Sequence, residues 1–109
     1  MACNGKGQRR EREFLEKMTS EGFVAHRIAG SGKGEDAIFD LIAIKDGVPH
    51  FVEVKSRKKV FYTKEHLPQL EAMKKAALQC KAKPMLAVKL NYKEWQIFDI
   101  TDEIPSKVY

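Results

Sequence analysis

The sequence has few of the features that mark a membrane-anchored or disulfide-stabilised protein. No run approaches the ~18 to 20 apolar residues that span a bilayer, and the polar start, residues 1–12, has no apolar stretch of a secretory signal. The cysteines, Cys3 and Cys80, are too few for a disulfide framework and form no zinc-binding motif. We therefore expect a soluble, cytoplasmic protein with reduced thiols and no membrane partner.

Acidic charge is also in deficit. The 20 Lys and Arg residues outnumber 15 Asp and Glu residues, which gives a net charge of +5 and a pI near 9.3. This surplus favours a polyanionic partner such as nucleic acid, although charge determines association rather than fold. The 109 residues suit one domain, 1–109, without internal repeats. Flexibility is expected at residues 1–7 and in a mobile glycine-rich loop, 29–36.

Apolar residues at helical spacing predict two helices. The first covers about 8–21 and stops at Gly22, and the second runs from Pro68 toward Lys81. The apolar stripe of the first helix consists of Phe14, Leu15 and Met18. One turn earlier the stripe reaches Glu11, an unusual residue for a core-facing position. Neighbouring charged side chains are expected to point toward water, namely Arg10, Glu13 and Lys17.

Five strands are expected, and they cover 23–28, 37–45, 48–57, 85–90 and 95–100. Between the second and third lies Asp46-Gly47, a dipeptide that favours a tight hairpin because both central residues need positive φ. Apolar residues occur on both faces of these strands, so we expect helices to cover both sides. The predicted fold is a single α/β domain with a mixed central β-sheet flanked by helices.

The two-residue turn makes an arithmetic prediction about charge. Paired positions across the hairpin sum to 93, so Asp40 faces Glu53, with Cβ atoms ~5 Å apart and a repulsion of roughly 3 kcal/mol. Strand alternation puts Lys55 on the same face as Glu53, and Glu11 can approach from the first helix. A sequence selected for stability alone would avoid this convergence. We interpret it as a functional site.

All-oxygen ligands without Cys or His suit a hard cation such as Mg²⁺, which would offset the repulsion. Such an ion can activate water and polarise a phosphodiester, and Lys55 would hold the water or neutralise the transition state. In the alternative interpretation, Glu53 and Lys55 form a surface ion pair, Asp40 is a strand-edge charge and Glu11 is a partly buried helix carboxylate. The apolar neighbours of these charges favour the functional interpretation, because buried charges need partners.

The order Glu11, Asp40, then Glu53-Val54-Lys55 resembles the PD-(D/E)xK nuclease signature, with Phe39 in place of its proline. The detail is most similar to the archaeal-type Holliday junction resolvases. The resemblance implies a restriction-endonuclease-like core. The other matching pieces are Lys6-Gly7, Glu11-Arg12-Glu13, Gly22-Phe23, Arg27 with Ala29-Gly30-Ser31, Asp40-Leu41-Ile42-Ala43, Phe51-Val52-Glu53-Val54-Lys55 and Leu86-Ala87-Val88-Lys89.

The resemblance also implies roles for individual residues. The metal would be held by Glu11, Asp40 and Glu53, with Mg²⁺ as cofactor and Mn²⁺ able to substitute. Lys55 would be catalytic and Ser31, in the glycine-rich loop, would assist cleavage. Contacts to substrate phosphates are implied for Arg12 and Arg27. The nearby acids Glu35 and Asp36 leave the alignment of this loop open, whereas the hairpin arithmetic favours Asp40 as the ligand.

Basic residues lie beside the predicted site, and we interpret them as a DNA-binding surface: Lys6, Arg9, Arg10, Arg12, Arg27, Lys33, Arg57, Lys58 and Lys59. If six basic residues neutralised phosphates, log K would fall with log salt at a slope of roughly −5. For the first helix, an ordinary solvated face is the alternative. Phe61 and Tyr62 either pack internally or stack on bases. The histidines show no ligand spacing, namely His26, His50 and His66.

These expectations combine into a Mg²⁺-dependent endodeoxyribonuclease that resolves four-way junctions in DNA recombination and repair. A junction has approximate two-fold symmetry and needs two incisions, so a homodimer is expected. Its interface would use the last strands, including Trp95 and Phe98, or the second helix. The alternatives are another PD-(D/E)xK nuclease of restriction or repair type, or a non-catalytic nucleic-acid-binding module. The sequence does not define replication or recombination protein partners.

Overall fold

The computed structural model describes residues 5–28 and 39–109 and arranges them as a mixed β-sheet with one helix on each face. The helices are α1 (Gly5–Ser20) and α2 (Leu67–Gln79). The strands are β1 (Val24–Arg27), β2 (Leu41–Lys45), β3 (Val48–Arg57), β4 (Phe61–Tyr62), β5 (Lys83–Leu90), β6 (Gln96–Asp99) and β7 (Lys107–Val108). The main sheet has the order β1-β2-β3-β5-β6, and β3 pairs with β5 in parallel while its other pairs are antiparallel. The predicted α/β class with a mixed sheet is confirmed.

The predicted hairpin joins β2 to β3 in the expected register. Leu41 pairs with Val52, so the positions sum to 93. Asp46 and Gly47 have φ values of 54° and 78°, the positive values that a two-residue turn between twisted strands requires. Asp40 lies one residue before β2, and its N–H donates to the Val52 carbonyl at 2.9 Å. The hairpin therefore brings Asp40 to the middle of β3.

Each face of the sheet has its own apolar layer, as the two-faced strand pattern predicts. The layer under α1 includes Phe14, Met18, Leu41, Ala43, Val52, Val54 and Ala87. The layer under α2 includes Phe51, Leu70, Met73, Leu86, Val88 and Leu90. Trp95 lies against Phe14 with ring centroids 4.8 Å apart, and Phe98 packs on the α2 layer. Both candidate interface aromatics of the last strands therefore contribute to internal packing.

Both helices end in a left-handed residue that turns the chain back toward the sheet. After α1, Gly22 has φ of +96° and the Phe23 N–H donates to the Met18 carbonyl at 3.0 Å. After α2, Lys81 takes the same role with φ of 58° and the Ala82 N–H reaches back into the last turn. Gly22 is the stop that the sequence predicts, whereas α2 ends at Gln79, slightly before the predicted limit.

Three elements were not predicted from the sequence. These are β4, β7 and a 3₁₀ turn at Thr63–His66, and β4 pairs with β7 in a separate small sheet. Thr63 Oγ1 donates to the Pro105 carbonyl at 2.7 Å and ties the C-terminal segment to this region. Phe61 is fully buried and Tyr62 is exposed, so Phe61 packs internally.

Two segments that were predicted to be flexible lie partly or wholly outside the described residues. Helix α1 begins at Gly5, inside the segment 1–7 that is expected to be flexible, and this expectation stays a prediction. The glycine-rich loop, 29–36, lies outside the described residues, and so do Ser31 and Lys33. Within residues 5–28 and 39–109, no helix combines the length and apolar character needed to cross a bilayer.

The positive φ of Gly47 in the hairpin turn leads to a testable prediction. A Cβ at Gly47 would meet no atom within 4 Å, so only its positive φ opposes a side chain. We expect Gly47→Ala to lower the free energy of unfolding by about 1 kcal/mol, measured by chemical denaturation. Asp46→Asn is the matched control, because asparagine tolerates positive φ, and it should retain wild-type stability. Equal stability of Gly47→Ala and wild type would contradict this account of the turn.

Candidate active site

Strand β3 places a carboxylate and an amine side by side in the interior. The Glu53 side chain is 2% exposed, and its Oε2 lies 3.2 Å from Lys55 Nζ. Both residues alternate with Val54 and share the face of Phe51, which belongs to the α2 layer. Because β3 is hydrogen-bonded to β2 on one side and to β5 on the other, Glu53 lies on a central strand rather than at an edge of the sheet.

Asp40 approaches the same point from the start of β2. It is buried, and its Oδ2 accepts a hydrogen bond from the Val54 N–H at 2.8 Å. This bond fixes the carboxylate against β3, where its charge contributes to raising the pKa of Glu53. The predicted proximity of Asp40 and Glu53 is confirmed.

Glu11 reaches the site from α1. Its side chain is 13% exposed and its Oε1 accepts a hydrogen bond from Arg27 Nε at 3.1 Å. Burial raises the pKa of Glu11, the Asp40 carboxylate raises it further, and Arg27 opposes the rise. The unusual acidic residue in the apolar stripe therefore faces Asp40, as the helical spacing predicts.

Arg10 differs from its prediction. It was expected to point toward water, but its side chain is only 16% exposed and its Nη1 lies 2.7 Å from Glu13 Oε1. Its Nε is buried without a hydrogen-bond partner among the described residues. The physical reason is that a long arginine can bury its methylene stem along apolar surface while its end pairs with a carboxylate. Periodicity registers only the direction of Cβ.

The pKa of the Glu53 carboxyl group is strongly raised. Burial raises its pKa to about 8, with a further contribution from Asp40, and Lys55 only partly opposes this rise. Glu53 Oε1 is buried and has no hydrogen-bond partner in the described part of the chain. A buried acceptor without a donor is costly, and a cation beside it would remove that cost.

The donor chemistry of the site fits a hard divalent ion. Asp40, Glu53 and Glu11 offer only oxygen, and the unpartnered Glu53 Oε1 leaves a coordination position open. Across residues 5–28 and 39–109, no three Asp, Glu, His or Cys side chains form a preassembled cluster of metal ligands. The carboxylate oxygens that are present fit a divalent ion that keeps several water molecules and takes few protein ligands.

A further group beside the site was missed from the sequence. Arg57 Nη2 lies 3.1 Å from His66 Nε2, Nη1 donates to the Ser56 carbonyl at 2.7 Å, and the guanidinium lies 5.2 Å from the centre of the Phe61 ring. Burial lowers the pKa of His66, and the charges of Lys55 and Arg57 lower it further. A neutral His66 can accept the Arg57 hydrogen bond. No histidine spacing signals this contact, because the 3₁₀ turn creates it.

The predicted DNA-binding residues fall into three groups. Four are exposed and have no side-chain partner among the described residues, namely Arg9, Arg12, Lys58 and Lys59. Three are engaged by neighbours, namely Arg10 with Glu13, Arg27 with Glu11 and Arg57 with His66. Lys33 and the side chain of Lys6 lie outside the described residues, as does Ser31.

The family model for the archaeal Holliday junction resolvase (Hjc) matches residues 2–107. The chain belongs to this family. Among similar proteins, the crossover junction endodeoxyribonuclease Hjc of Sulfurisphaera tokodaii is 36% identical over 78% of this chain and 60% of that protein. The Hjc of Archaeoglobus fulgidus is 32% identical over 87% of this chain and 69% of its own length. The crossover junction endodeoxyribonuclease of Sulfolobus islandicus rod-shaped virus 1 is 32% identical over 98% of the chain and 91% of that protein.

The fold agrees with Hjc membership. The structure of Archaeoglobus fulgidus Hjc, a Holliday junction resolvase, matches with a TM-score of 0.69 and 32% identity. The match covers 84% of this chain and 73% of the other. The family resemblance identified from the sequence is therefore confirmed. The chain spans 60% of the length of the Sulfurisphaera relative and 69% of the length of the Archaeoglobus relative.

The raised pKa of Glu53 predicts a pH dependence of stability in chelator. In the unfolded chain, the Glu53 carboxyl group ionises above about pH 4.5. In the folded protein, it keeps its proton up to about pH 8. The free energy of unfolding should therefore fall between these values, on the order of a few kcal/mol, and then level off. Denaturation at several pH values should show a much smaller fall in Glu53→Gln. Exposed Glu103→Gln is the control, and overlapping profiles of Glu53→Gln and wild type would contradict the raised pKa of the buried Glu53 carboxyl group.

Proposed function

We propose that the protein is a Mg²⁺-dependent endodeoxyribonuclease that resolves four-way DNA junctions by phosphodiester hydrolysis, with Mn²⁺ able to substitute. Membership of this resolvase family implies a divalent metal cofactor in general. The observation that carries the proposal is the buried Glu53, beside Asp40 and Lys55, with one oxygen unpartnered. Relatives named crossover junction endodeoxyribonucleases supply the substrate class.

The residues of the site divide the chemistry among them. Asp40, Glu53 and Glu11 would hold the ion, which when bound supplies an activated water and polarises the phosphodiester. Lys55 Nζ is held 3.2 Å from Glu53 Oε2, so its remaining N–H groups can orient the attacking water or stabilise charge on the phosphate. The Val54 N–H holds Asp40 in place through its 2.8 Å hydrogen bond.

Substrate phosphates would meet the exposed cations around this site. Arg9 and Arg12 lie on α1 beside Glu11, and Lys58 and Lys59 directly follow β3. The hydrogen bond with His66 orients the Arg57 guanidinium. Arg57 is therefore suited to binding a phosphate on a neighbouring DNA strand. These cations supply the electrostatic part of binding, which is independent of sequence.

A homodimer would supply the two incisions that resolution requires. Since Trp95 and Phe98 are used in internal packing, we favour α2 as the interface. Leu67 and Leu78 are exposed on this helix. A shallow cavity of about 460 Å³ on its outer side is lined by Glu71, Lys74, Lys75, Leu78 and Gln79. Charges of both signs in one patch suit a two-fold contact, in which each patch faces a copy of itself. Junction DNA as the substrate implies a nucleoid-associated, cytoplasmic enzyme.

Removal of single catalytic groups should separate cutting from binding. We expect Glu53→Gln and Lys55→Ala to lower Mg²⁺-dependent junction cleavage by at least about 100-fold while junction affinity in chelator stays close to wild type. Exposed Glu103→Gln is the control and should cut normally. Junction cleavage and gel-shift assays give the two readouts. Wild-type cutting by either site variant would reject the assigned chemistry.

The substrate comparison distinguishes the alternatives. A four-way junction, a linear duplex, a flap and a single strand of the same sequence are compared with Mg²⁺ and with chelator. Symmetric cuts near the branch point support resolution, whereas equal cutting of all substrates supports a restriction or repair nuclease. Absence of metal-stimulated cutting on every substrate would support a non-catalytic binding module.

The exposed lysines after β3 predict a measurable salt effect. Replacing both Lys58 and Lys59 with alanine should make the slope of log K against log salt shallower by about 2, because two phosphate contacts are lost. Lys83→Ala is the matched control at the opposite end of the sheet, where Lys83 faces Asp99. A slope unchanged by the double substitution would remove Lys58 and Lys59 from the DNA surface.

A further inference from the structure

The turn between β5 and β6 holds a tyrosine fully in solvent. Tyr92 is exposed over its whole side chain and has φ of 65°. Positive φ is a genuine outlier for a bulky residue, and asparagine, which tolerates it, stands next to it at position 91. A strained backbone that presents an unpacked aromatic ring stabilises nothing within the fold. Such an outlier suggests a role in binding.

Several hydrogen bonds hold this turn in place. The Lys93 N–H donates to the Leu90 carbonyl at 3.2 Å and closes the turn. Lys89 Nζ donates to the carbonyl of Leu90 at 3.2 Å and also to that of Lys93. The Asn91 N–H donates to the Lys58 carbonyl at 3.2 Å. The Tyr92 ring is therefore carried by a hydrogen-bonded turn that is also tied to the end of β3.

The same contacts locate Tyr92 relative to the catalytic strand. Glu53 pairs with Leu86 and Arg57 pairs with Leu90, so the turn follows the end of β3. Four residues at ~3.3 Å each put that end ~13 Å along the strand from Glu53, about four base-pair steps. Basic side chains surround the turn, namely Lys58, Lys59 and Lys93, all of them exposed.

We infer that Tyr92 stacks on bases at the branch point of the junction and so contributes to the choice of junction over duplex. The inference rests on the proposed function. In a continuous duplex each base face is covered by the next pair, whereas at a branch point the stack is interrupted and a ring can be inserted at lower cost. An aromatic ring flanked by cations is the combination that binds unstacked bases without sequence preference.

The test removes the ring but keeps the turn. Tyr92→Asn suits the positive φ, so its melting temperature should equal or exceed that of wild type. Its affinity for a four-way junction in chelator should fall about 10-fold, while duplex affinity stays unchanged. Tyr92→Phe should restore binding, and exposed Tyr109→Asn serves as the control. A 2-aminopurine placed at the branch point should change its fluorescence with wild type and Tyr92→Phe, but much less with Tyr92→Asn.

The outcomes separate the two proposals. If wild type prefers the junction and Tyr92→Asn keeps the same preference and fluorescence change, the inference is overturned while the proposed function stands. If Tyr92→Asn loses affinity equally for junction and duplex, Tyr92 is a general contact and the inference is again overturned. If wild type itself neither prefers nor cuts the junction, the proposed function fails, and the inference fails with it.

Discussion

The structure depends on one buried carboxyl group, that of Glu53 in the middle of the central strand. Burial beside Asp40 makes its ionised form unfavourable, and a single ion pair with Lys55 offsets only part of that penalty. The surrounding elements place other charged side chains beside Glu53. Asp40 comes from the position before β2, Glu11 from α1, and Lys55 from β3, two residues after Glu53. A functional reason explains such an arrangement better than stability does.

The layered fold is what makes the site possible. Because helices cover both faces of the sheet, a carboxylate on the middle strand is withdrawn from water, and its electrostatic interactions are stronger than at a surface. Glu11 and Glu53 come from opposite layers and meet at Asp40, which precedes β2 and is held by Val54. The site is thus shared by α1, by β3 and by the position that precedes β2.

Sequence reasoning recovered the parts that follow from local rules. Turn chemistry gave the register that sets Asp40 against Glu53, helical spacing placed Glu11 inward, and strand alternation paired Glu53 with Lys55. It missed β4, β7 and the contact of His66 with Arg57, because two-residue strands and a short 3₁₀ turn carry no periodicity. Arg10 was misjudged because the course of a long flexible side chain depends on tertiary neighbours such as Glu13. The roles of Ser31 and Lys33 stay predictions.

The tight turn at Asp46 and Gly47 has a consequence for how this chain can diverge. Side chains alternate between faces at every residue, so a one-residue shift of the register at the turn would exchange the side of β2 that faces α1 with the side that faces α2. Asp40 would then be replaced at its position by Phe39 or Leu41, and an apolar group would confront Glu53. Loop length is usually the most permissive property of a protein surface. Here it is as constrained as the identity of an acidic side chain.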